Sequence, residues 1–395
     1  MKLFRYGQMC LLMMAVAALL ILAAGQLFAA QNVILIIGDG MGFEHVKAGS
    51  YYATGQAGQL AFEQYYKCSV TTYPLGGGVT DSAAAGTAMA TGHKVPNGVI
   101  SQASNGSPYT TILEYAKSMG KSTGIVSTVS IADATPAAFG AHEPSRSNIT
   151  NIINDYLYGS KPNIIFGGGS GSWSSSQISI AQSLGYQYVT NYAQMAALSP
   201  TTQYALGLFA SGDMTYEYDR LPSNPEPHLS QMASTALSIL SNDPDGFFLM
   251  LEGGSIDHAS HSNDLNRVTR EVVELNNTFQ VVMNWVQTHP DTLVIVTADH
   301  ETGGLYNVIN RGAGNYPTGS WSGGGHTGAN VPFYATGANN NLVNKYIVSG
   351  VIDNTNIFQI MYEAFQTPIP EPSTLLVLAG GFAGFLGISV RRRLR

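Results

Sequence analysis

Phe247–His261 reads FFLMLEGGSIDHASH and places a run of bulky apolar residues directly before four potential metal ligands. An apolar run that ends at glycine predicts a buried strand, so Glu252 lies at its carboxyl end, and Asp257 and His261 open the next helix. Because residues i and i+4 share a helical face, Asp257 and His261 can bind one ion, whereas Glu252 is available to a second. The alternative is a capped helix start, where acidic residues in the first turn are common.

Two further predicted strands end in the same way. Val33–Ile37 leads into Asp39, and Leu293–Val296 leads into Asp299 and His300. A single Asp after a strand is most often a helix N-cap. Three such ends indicate one ligand site instead, because ligands bind at the carboxyl ends of the strands in open α/β sheets.

The composition is typical of one large α/β domain: 395 residues, 45% hydrophobic and 11% charged, with 44 Gly. We expect residues 31–367 to form this domain in three layers, with a central, mostly parallel sheet covered by helices on both faces. Ser170–Ser230, rich in Ser, Tyr and Gln, is interpreted as an insertion near the site. Further strands are predicted at Gly124–Val129, Asn163–Phe166 and Val331–Tyr334, and helices at Ala83–Ala90, Thr111–Met119, Gln231–Leu240 and Asn263–Gln287.

The candidate nucleophile is Ser82, which precedes an Ala-rich segment. A helix that begins at Ser82 would hold the hydroxyl at its positive end, where backbone N–H groups also stabilise an anion. An ordinary N-cap serine is the alternative. Since no motif pairs a His with Ser82 as in a Ser-His-Asp triad, activation is expected to need a metal that lowers the pKa of the hydroxyl.

Asp133–Arg146 supplies a second set of candidate ligands. The oxygens of Asp133 and Thr135 suit Mg²⁺, and the arginine fork of Arg146 matches two phosphate oxygens. A surface salt bridge is the alternative role for Arg146.

Residues 1–30 predict a secretory signal peptide. Lys2 and Arg5 precede an apolar run that ends at Ala29-Ala30. An uncleaved anchor is the alternative. Cys68 is the one cysteine outside this segment, which excludes an intramolecular disulfide in residues 31–367.

Residues 368–395 form a second targeting segment, with Pro370-Glu371-Pro372, an apolar stretch at 374–390 long enough to span a bilayer, and a final Arg cluster. This tail resembles the PEP-CTERM signal that exosortases recognise in Gram-negative bacteria. The resemblance implies processing by an exosortase-type enzyme, transient membrane insertion, and delivery to the periplasm, the outer surface or the extracellular matrix. A permanent membrane anchor is the alternative.

The charge of residues 31–367 is near −12, because the leader contains two of the 18 basic residues and the tail contains four of them together with Glu371. Such a surface argues against nonspecific nucleic-acid binding. An anionic substrate would therefore need bound cations and a local arginine.

Six motifs together resemble the alkaline phosphatases. They occur in family order between Asn32 and about Gly337, and they are Gly38–Gly42, Thr80–Ala84, Asp133–Ala138 with Arg146, Glu252–His261, Thr297–His300 and His326–Gly328. The resemblance implies an exported, metal-dependent phosphatase that hydrolyses small phosphate monoesters at alkaline pH.

The resemblance also implies two Zn²⁺ and one Mg²⁺ per subunit. Ser82 would form a phosphoserine, and Arg146 would bind the phosphoryl oxygens. The implied ligands are Asp257, His261 and His326 for one Zn²⁺, Asp39, Asp299 and His300 for the other, and Asp39, Thr135 and Glu252 for Mg²⁺, with Asp133 close by. Imidazole with carboxylate suits Zn²⁺, and oxygen ligands alone suit Mg²⁺.

His258 departs from the closest family pattern. The family carries Lys, Trp or His at this position, and the combination with Asp133 is a mixed type. We assign His258 to substrate binding; the alternative is a residue that only holds water near the third metal. The compact chain is expected to lack large family insertions, and a homodimer is implied by the family alone.

Two other functions fit part of this pattern. A metal-dependent phosphodiesterase or sulfatase would share the two-metal core but act on another ester. A non-catalytic matrix or adhesion protein would suit the sorting tail, but it has no need of intact ligands together with Ser82 and Arg146.

Overall fold

The computed structural model describes residues 29–367. In chain order the helices are α1 Phe43–Thr54, α2 Ser82–Thr91, α3 Ile112–Ser118, α4 Ala134–Gly140, α5 Ile149–Asn154, α6 Ser175–Ser183, α7 Tyr192–Ala196, α8 Leu229–Leu240, α9 Ser255–His261, α10 Leu265–Val286 and α11 Thr355–Gln366. The strands are β1 Asn32–Gly38, β2 Tyr66–Thr71, β3 Ser122–Ser130, β4 Ile164–Gly168, β5 Gln187–Val189, β6 Ala205–Leu208, β7 Phe247–Gly253, β8 Thr292–Thr297, β9 Glu301–Thr302, β10 Leu305–Ile309, β11 Thr318–Trp321, β12 His326–Thr327, β13 Val331–Gly337 and β14 Val351–Asp353.

Ten of these strands form one sheet, in the order β14-β2-β13-β8-β1-β7-β3-β4-β6-β5. The strands from β8 to β5 in this order are all parallel to one another, and β13 runs antiparallel to both β8 and β2. The central strands β1, β7 and β8 are buried along their whole length, as their near-continuous apolar sequences require.

Helices cover both faces of this sheet. Successive residues of a strand point to opposite faces, and in β7 the ring of Phe247 contacts Trp285 of α10 while the ring of Phe248 stacks on Phe139 of α4. Helices α1, α8 and α10 pack together on the first face, and α2, α4 and α11 pack on the second. The predicted three-layer α/β architecture with a mostly parallel sheet is confirmed.

Ser170–Ser230, interpreted from its sequence as an insertion near the site, contributes strands to the main sheet. It contributes β5 and β6, which complete one edge of the main sheet beside β4. Its irregular composition conceals two short strands because β5 has only three residues and β6 only four.

The predicted targeting segments lie outside the described part of the chain, apart from Ala29 and Ala30 at the end of the leader and Thr367 before the tail. Within residues 29–367, no helix combines the length and the hydrophobicity that crossing a membrane requires.

Candidate active site

The carboxyl ends of β1, β7 and β8 lie side by side at one edge of the sheet. Ile37 of β1 is in register with Glu252 of β7 on one side and with Thr297 of β8 on the other. Since Asp39, Asp299 and His300 follow these positions within a few residues, the structure brings the three predicted strand ends together.

Asp39, Asp299 and His300 form what we call the inner cluster, whose ligand atoms all lie within 4.8 Å of one another. The Nε2 atom of His300 is 3.0 Å from Asp299 Oδ2 and 3.5 Å from Asp39 Oδ1. The same Nε2 atom is 3.2 Å from Ser82 Oγ. His300 and Asp299 are fully buried.

This geometry differs from a Ser-His-Asp triad, although it places a His against Ser82, which the sequence did not indicate. In a triad the serine and the carboxylate contact different nitrogens of the imidazole. Here Ser82 and both carboxylates face Nε2, while Nδ1 of His300 lies 3.2 Å from Thr302 Oγ1. Three oxygens therefore lie within 3.5 Å of one nitrogen, an arrangement that suits a cation site.

Asp257, His261 and His326 form the outer cluster, whose ligand atoms also lie within 4.8 Å of one another. His261 Nε2 is 3.1 Å from Asp257 Oδ2, one helical turn earlier on α9, and 3.1 Å from His326 Nε2. The His261 side chain is 41% exposed and that of His326 15% exposed, so this cluster faces solvent.

Backbone contacts and one threonine hold the two clusters together. His326 Nδ1 lies 2.9 Å from the carbonyl of Thr80, and His261 Nδ1 lies 2.6 Å from that of Gly324, so both rings present Nε2 to the cluster. Thr302 Oγ1 donates a hydrogen bond of 2.5 Å to Asp257 Oδ1. The adjoining backbone at Gly40 has φ +69°, and a Cβ there would lie 2.8 Å from Asp257 Oδ1, so only glycine fits.

A third set consists of oxygen ligands alone. Thr135 Oγ1 donates a hydrogen bond of 3.2 Å to Asp39 Oδ2, and Ser127 Oγ donates one to Glu252 Oε2. Glu252 and Thr135 are both buried. Asp39 thus faces His300 through one oxygen and Thr135 through the other, so it borders both sites.

Ser82 is the first residue of α2, and the N-cap is its neighbour Asp81, whose Oδ1 accepts a hydrogen bond of 2.9 Å from Ala84 N. The N-cap alternative for Ser82 is therefore excluded, and its hydroxyl is free to face His300. Asp81 also faces Arg146, with 3.4 Å between its Oδ2 and Nη1.

Arg146 and His258 lie on either side of Asp133. Arg146 Nη2 is 2.9 Å from Asp133 Oδ1, and His258 Nε2 is 3.9 Å from Asp133 Oδ2. The other nitrogen of His258, Nδ1, is 3.0 Å from Asp213 Oδ2. Two cationic side chains are thus held near Asp133 at the site.

The sequence did not predict roles for Asp81, Ser127, Asp213 and Thr302. Asp213 has the same signature as the predicted ligands, an acidic residue shortly after a strand, but the strand is β6 and was not recognised. Hydroxyl side chains such as those of Ser127 and Thr302 carry no sequence signal of their own.

The carboxylates are crowded enough to change their protonation. Burial, followed by the charges of Asp299 and Asp257, raises the pKa of Asp39 well above its usual value. Burial also raises the pKa of Glu252 to about 8, although the hydrogen bond from Ser127 acts in the opposite direction. Burial likewise opposes ionisation of Asp257, but the hydrogen bond from His261 and the charge of His300 outweigh it, so the pKa of Asp257 is lowered.

Several buried oxygens at the site have too few donors. Among the described residues, Asp39 Oδ1, Glu252 Oε1 and Asp299 Oδ2 accept no hydrogen bond of good geometry, and the two Asp oxygens share one nearby nitrogen, Nε2 of His300. A buried carboxylate oxygen without a partner is costly, and a bound cation removes that cost. The donor sets therefore fit metal ions: imidazole with carboxylate in the two clusters, and oxygen alone around Thr135 and Glu252.

Comparison with known proteins agrees with this geometry. The family described as "Alkaline phosphatase" matches residues 30–319. The chain belongs to the alkaline phosphatase family.

Several known alkaline phosphatases are similar in sequence to much of this chain. Alkaline phosphatase 3 of Bacillus subtilis is 38% identical over 300 residues, and alkaline phosphatase of Escherichia coli is 31% identical over 416 residues. The matched region covers 72% of this chain and 64% of the Bacillus protein, and 85% of this chain and 86% of the Escherichia coli protein. The chain therefore spans less than two thirds of the Bacillus relative.

Solved alkaline phosphatases share the fold. A cold-active alkaline phosphatase from Shewanella sp. matches with a TM-score of 0.77 and 31% identity, over 86% of this chain and all of that one. The alkaline phosphatase of the Antarctic bacterium TAB5 matches with a TM-score of 0.75 and 27% identity, over 87% of this chain and 99% of that one. At the carboxyl end, residues 368–393 match the PEP-CTERM protein-sorting motif.

Proposed function

We propose that this chain is an exported alkaline phosphatase that hydrolyses phosphate monoesters through a phosphoserine at Ser82. The observation that carries the proposal is the convergence of Ser82 Oγ, Asp39 Oδ1 and Asp299 Oδ2 on one nitrogen, Nε2 of His300. Such a point suits a cation that contacts the nucleophile itself.

The residues around Ser82 have different roles in the first step. Ser82 Oγ loses its proton and attacks phosphorus, the bond between phosphorus and the ester oxygen breaks, and the phosphoryl group passes to the serine while the ester oxygen takes up a proton and leaves as an alcohol. Arg146 binds two phosphoryl oxygens with its guanidinium fork, and the contacts of Asp81 with Nη1 and of Asp133 with Nη2 hold that fork in place. His258 binds the phosphate from the other side of Asp133.

A water molecule completes the reaction in the second step. It attacks the phosphoserine, phosphate is released, and Ser82 Oγ regains its proton. The exposed outer cluster lies on the solvent side of the site, where the leaving alcohol departs and water enters.

We assign two Zn²⁺ and one Mg²⁺ to the three donor sets. The inner cluster would hold one Zn²⁺ and the outer cluster the other, and Asp39, Thr135 and Glu252 would hold Mg²⁺, with Asp133 close by. When bound, the ions supply Lewis-acid chemistry that lowers the pKa of the serine hydroxyl and of water and offsets charge on the phosphoryl group. A variant of the TAB5 enzyme has Mg bound in its M3 site, which supports this assignment.

Targeting and assembly complete the proposal. Residues 1–30 direct export, residues 31–367 form the catalytic domain, and residues 368–395 are processed by an exosortase-type enzyme after transient insertion of 374–390 in the membrane. The mature protein then acts in the periplasm, on the outer surface or in the extracellular matrix of a Gram-negative bacterium. A homodimer is part of the proposal on family grounds.

Ser82→Ala tests the covalent step. With metal content unchanged by elemental analysis, we expect no phosphoenzyme in rapid-quench experiments on p-nitrophenyl phosphate and a loss of turnover of about 1,000-fold or more. Ser179→Ala, a hydroxyl loss on helix α6, is the control and should leave both unchanged. A pre-steady-state burst in Ser82→Ala would refute the assignment of the nucleophile.

Substrate comparison tests the ester class. We expect the wild-type protein to turn over p-nitrophenyl phosphate much faster than bis(p-nitrophenyl) phosphate or p-nitrophenyl sulfate, because Arg146 and His258 bind a terminal phosphoryl group. A faster diester or sulfate reaction would assign the same site to a phosphodiesterase or a sulfatase.

A further inference from the structure

Asp213 lies behind His258 and contacts it on the side opposite Asp133. Its Oδ2 is 3.0 Å from His258 Nδ1, and its Oδ1 accepts a hydrogen bond of 2.9 Å from the backbone N–H of Ser130. Both oxygens of this carboxylate are therefore used, one by the end of β3 and one by the imidazole.

The segment that carries Asp213 is fixed to the sheet edge. Met214 N donates a hydrogen bond of 2.9 Å to the carbonyl of Thr128, and Gly169 N donates one of 2.7 Å to the carbonyl of Gly212. These bonds tie the backbone on both sides of Asp213 to the carboxyl ends of β3 and β4. Asp213 thus has a fixed position, although its side chain is 43% exposed.

The opposite nitrogen of His258 faces the site. Nε2 lies 3.9 Å from Asp133 Oδ2, while Asp133 Oδ1 is bound to Arg146 at 2.9 Å. A ring held at Nδ1 by a carboxylate can turn little about its χ2 bond, so the direction of Nε2 is set by Asp213.

We propose that Asp213 is a positioning residue that aims His258 at the bound phosphoryl group. Resting on the proposed function, this inference extends the phosphate site by one residue: Arg146 is aimed by Asp81 and Asp133, and His258 is aimed by Asp213. Asp213 contacts neither phosphate nor metal, and it acts through the imidazole alone.

The test measures the affinity of the metal-loaded protein for inorganic phosphate by calorimetry, together with KM and kcat for p-nitrophenyl phosphate. Asp213→Ala is expected to weaken phosphate binding about tenfold, as for loss of one charge-assisted contact, and to raise KM more than it changes kcat. His258→Ala should give a similar loss, and the double variant should be no worse than His258→Ala.

Asp219→Ala is the matched control. Asp219 belongs to the same segment and also makes one ion pair, with Arg267 at 2.8 Å, and its side chain is 37% exposed against 43% for Asp213. Phosphate affinity and KM should remain at the wild-type values in this variant.

Asp213→Asn separates aiming of the ring from anchoring of the loop. The Asn side chain has one oxygen, whereas the Asp side chain uses two, one for Ser130 N and one for His258 Nδ1. A single oxygen is enough to keep the hydrogen bond from Ser130 N that anchors the loop. We expect it to lose most of the phosphate affinity that Asp213→Ala loses. Wild-type affinity in Asp213→Asn, additive losses in the double variant, or loss of metal in Asp213→Ala would each overturn the inference.

A failure of the positioning role can be told apart from a failure of the proposed function. A wild-type protein that hydrolyses no phosphate monoester refutes the function. Hydrolysis by the wild type, combined with unchanged phosphate affinity in Asp213→Ala, refutes only the positioning role.

Discussion

Two regions of this molecule bury several carboxylates close together, and they neutralise them in different ways. One is the candidate active site, with Asp39, Glu252 and Asp299. The other, which we call the Glu217 cluster, contains Glu217, Glu271 and Glu274, and lies against Arg220 and His228. Crowded carboxylates alone therefore do not distinguish a catalytic site from a structural one.

The difference lies in the donors that reach each oxygen. Glu217 faces Arg220 at 2.9 Å and His228 at 2.8 Å. Backbone N–H groups of Glu217 and Ser230 donate to Glu271 and Glu274 at 2.7 and 2.8 Å. The Glu217 cluster is satisfied by the protein itself.

At the candidate active site, by contrast, Glu252 Oε1 meets no donor within residues 29–367, and Asp39 Oδ1 and Asp299 Oδ2 face the same single nitrogen, Nε2 of His300. The lesson is that missing donors, more than crowding, indicate where a cation belongs. Four experiments test this difference between the two regions.

Metal removal should have the largest effect. Chelation is expected to abolish turnover and to lower the melting temperature by about 10 °C, because ions that bind only the folded state stabilise it by mass action. Activity assays and differential scanning calorimetry, with Zn²⁺ and Mg²⁺ added back as the control, measure both. An unchanged melting temperature would mean that the partnerless oxygens do not hold metal.

Glu252→Gln should give the next largest effect. The amide keeps an acceptor for Ser127 but gives up the carboxylate that we assign to Mg²⁺. Turnover should fall by about 10- to 100-fold, and the increase in melting temperature on adding Mg²⁺ should disappear. If Mg²⁺ still raises the melting temperature of the variant, Glu252 is not its ligand.

Glu271→Gln is the matching change in the Glu217 cluster, and it should stabilise the protein at high pH. Burial, followed by the charge of Glu217, raises the pKa of Glu271 from 4.5 to about 8. The folded state therefore holds a proton that the unfolded state releases, and the wild type loses stability as pH rises from about 4.5 to about 8.

Gln cannot ionise, so the variant should not lose this stability as pH rises. Relative to the wild type, the unfolding free energy of Glu271→Gln should therefore increase across this pH range by an amount on the order of 1–3 kcal/mol. Urea titrations at pH 5 and pH 8 measure this, with activity as the control, which should not change. An equal difference at both pH values would show that Glu271 does not titrate in this range.

Glu217→Gln should have the smallest effect. It weakens a buried pair with Arg220 without touching the active site, so we expect a loss of about 1–2 kcal/mol, equal in metal-loaded and chelated samples. Urea unfolding with and without chelator is the measurement. A loss confined to the metal-loaded sample would indicate that this cluster also binds a cation.

The parts of the fold that the sequence predicted are those with long apolar strands. β1, β7 and β8 were recognisable because they are buried on both faces, and the residues after each strand were correctly expected at one edge. β5 and β6 were missed because they are short, and the antiparallel direction of β13 has no signature in a single strand.

Part of the candidate site was predictable, because His and Asp are residue types that commonly bind metals. His and Asp after strands predict ligands, and the structure brings these residues together as two clusters, while their binding of metal stays a prediction. The contact between Ser82 and His300 joins residues 218 positions apart and depends on the packing of α2 against the sheet edge, which no local pattern records. For the same reason the links from Asp213 to His258 and from Thr302 to Asp257 became visible only in three dimensions.

The central position of β1 also governs how the chain reaches this structure. β1 lies between β7 and β8, so the strand nearest the amino terminus finds its two partners only after the chain has extended beyond residue 290. Pairings of such long range make folding slow, and the segment Val33–Ile37 stays without its partners until they form. That strand is therefore open to aggregation until most of the chain has been made, and the residues of the candidate site can come together only after nearly the whole domain is available.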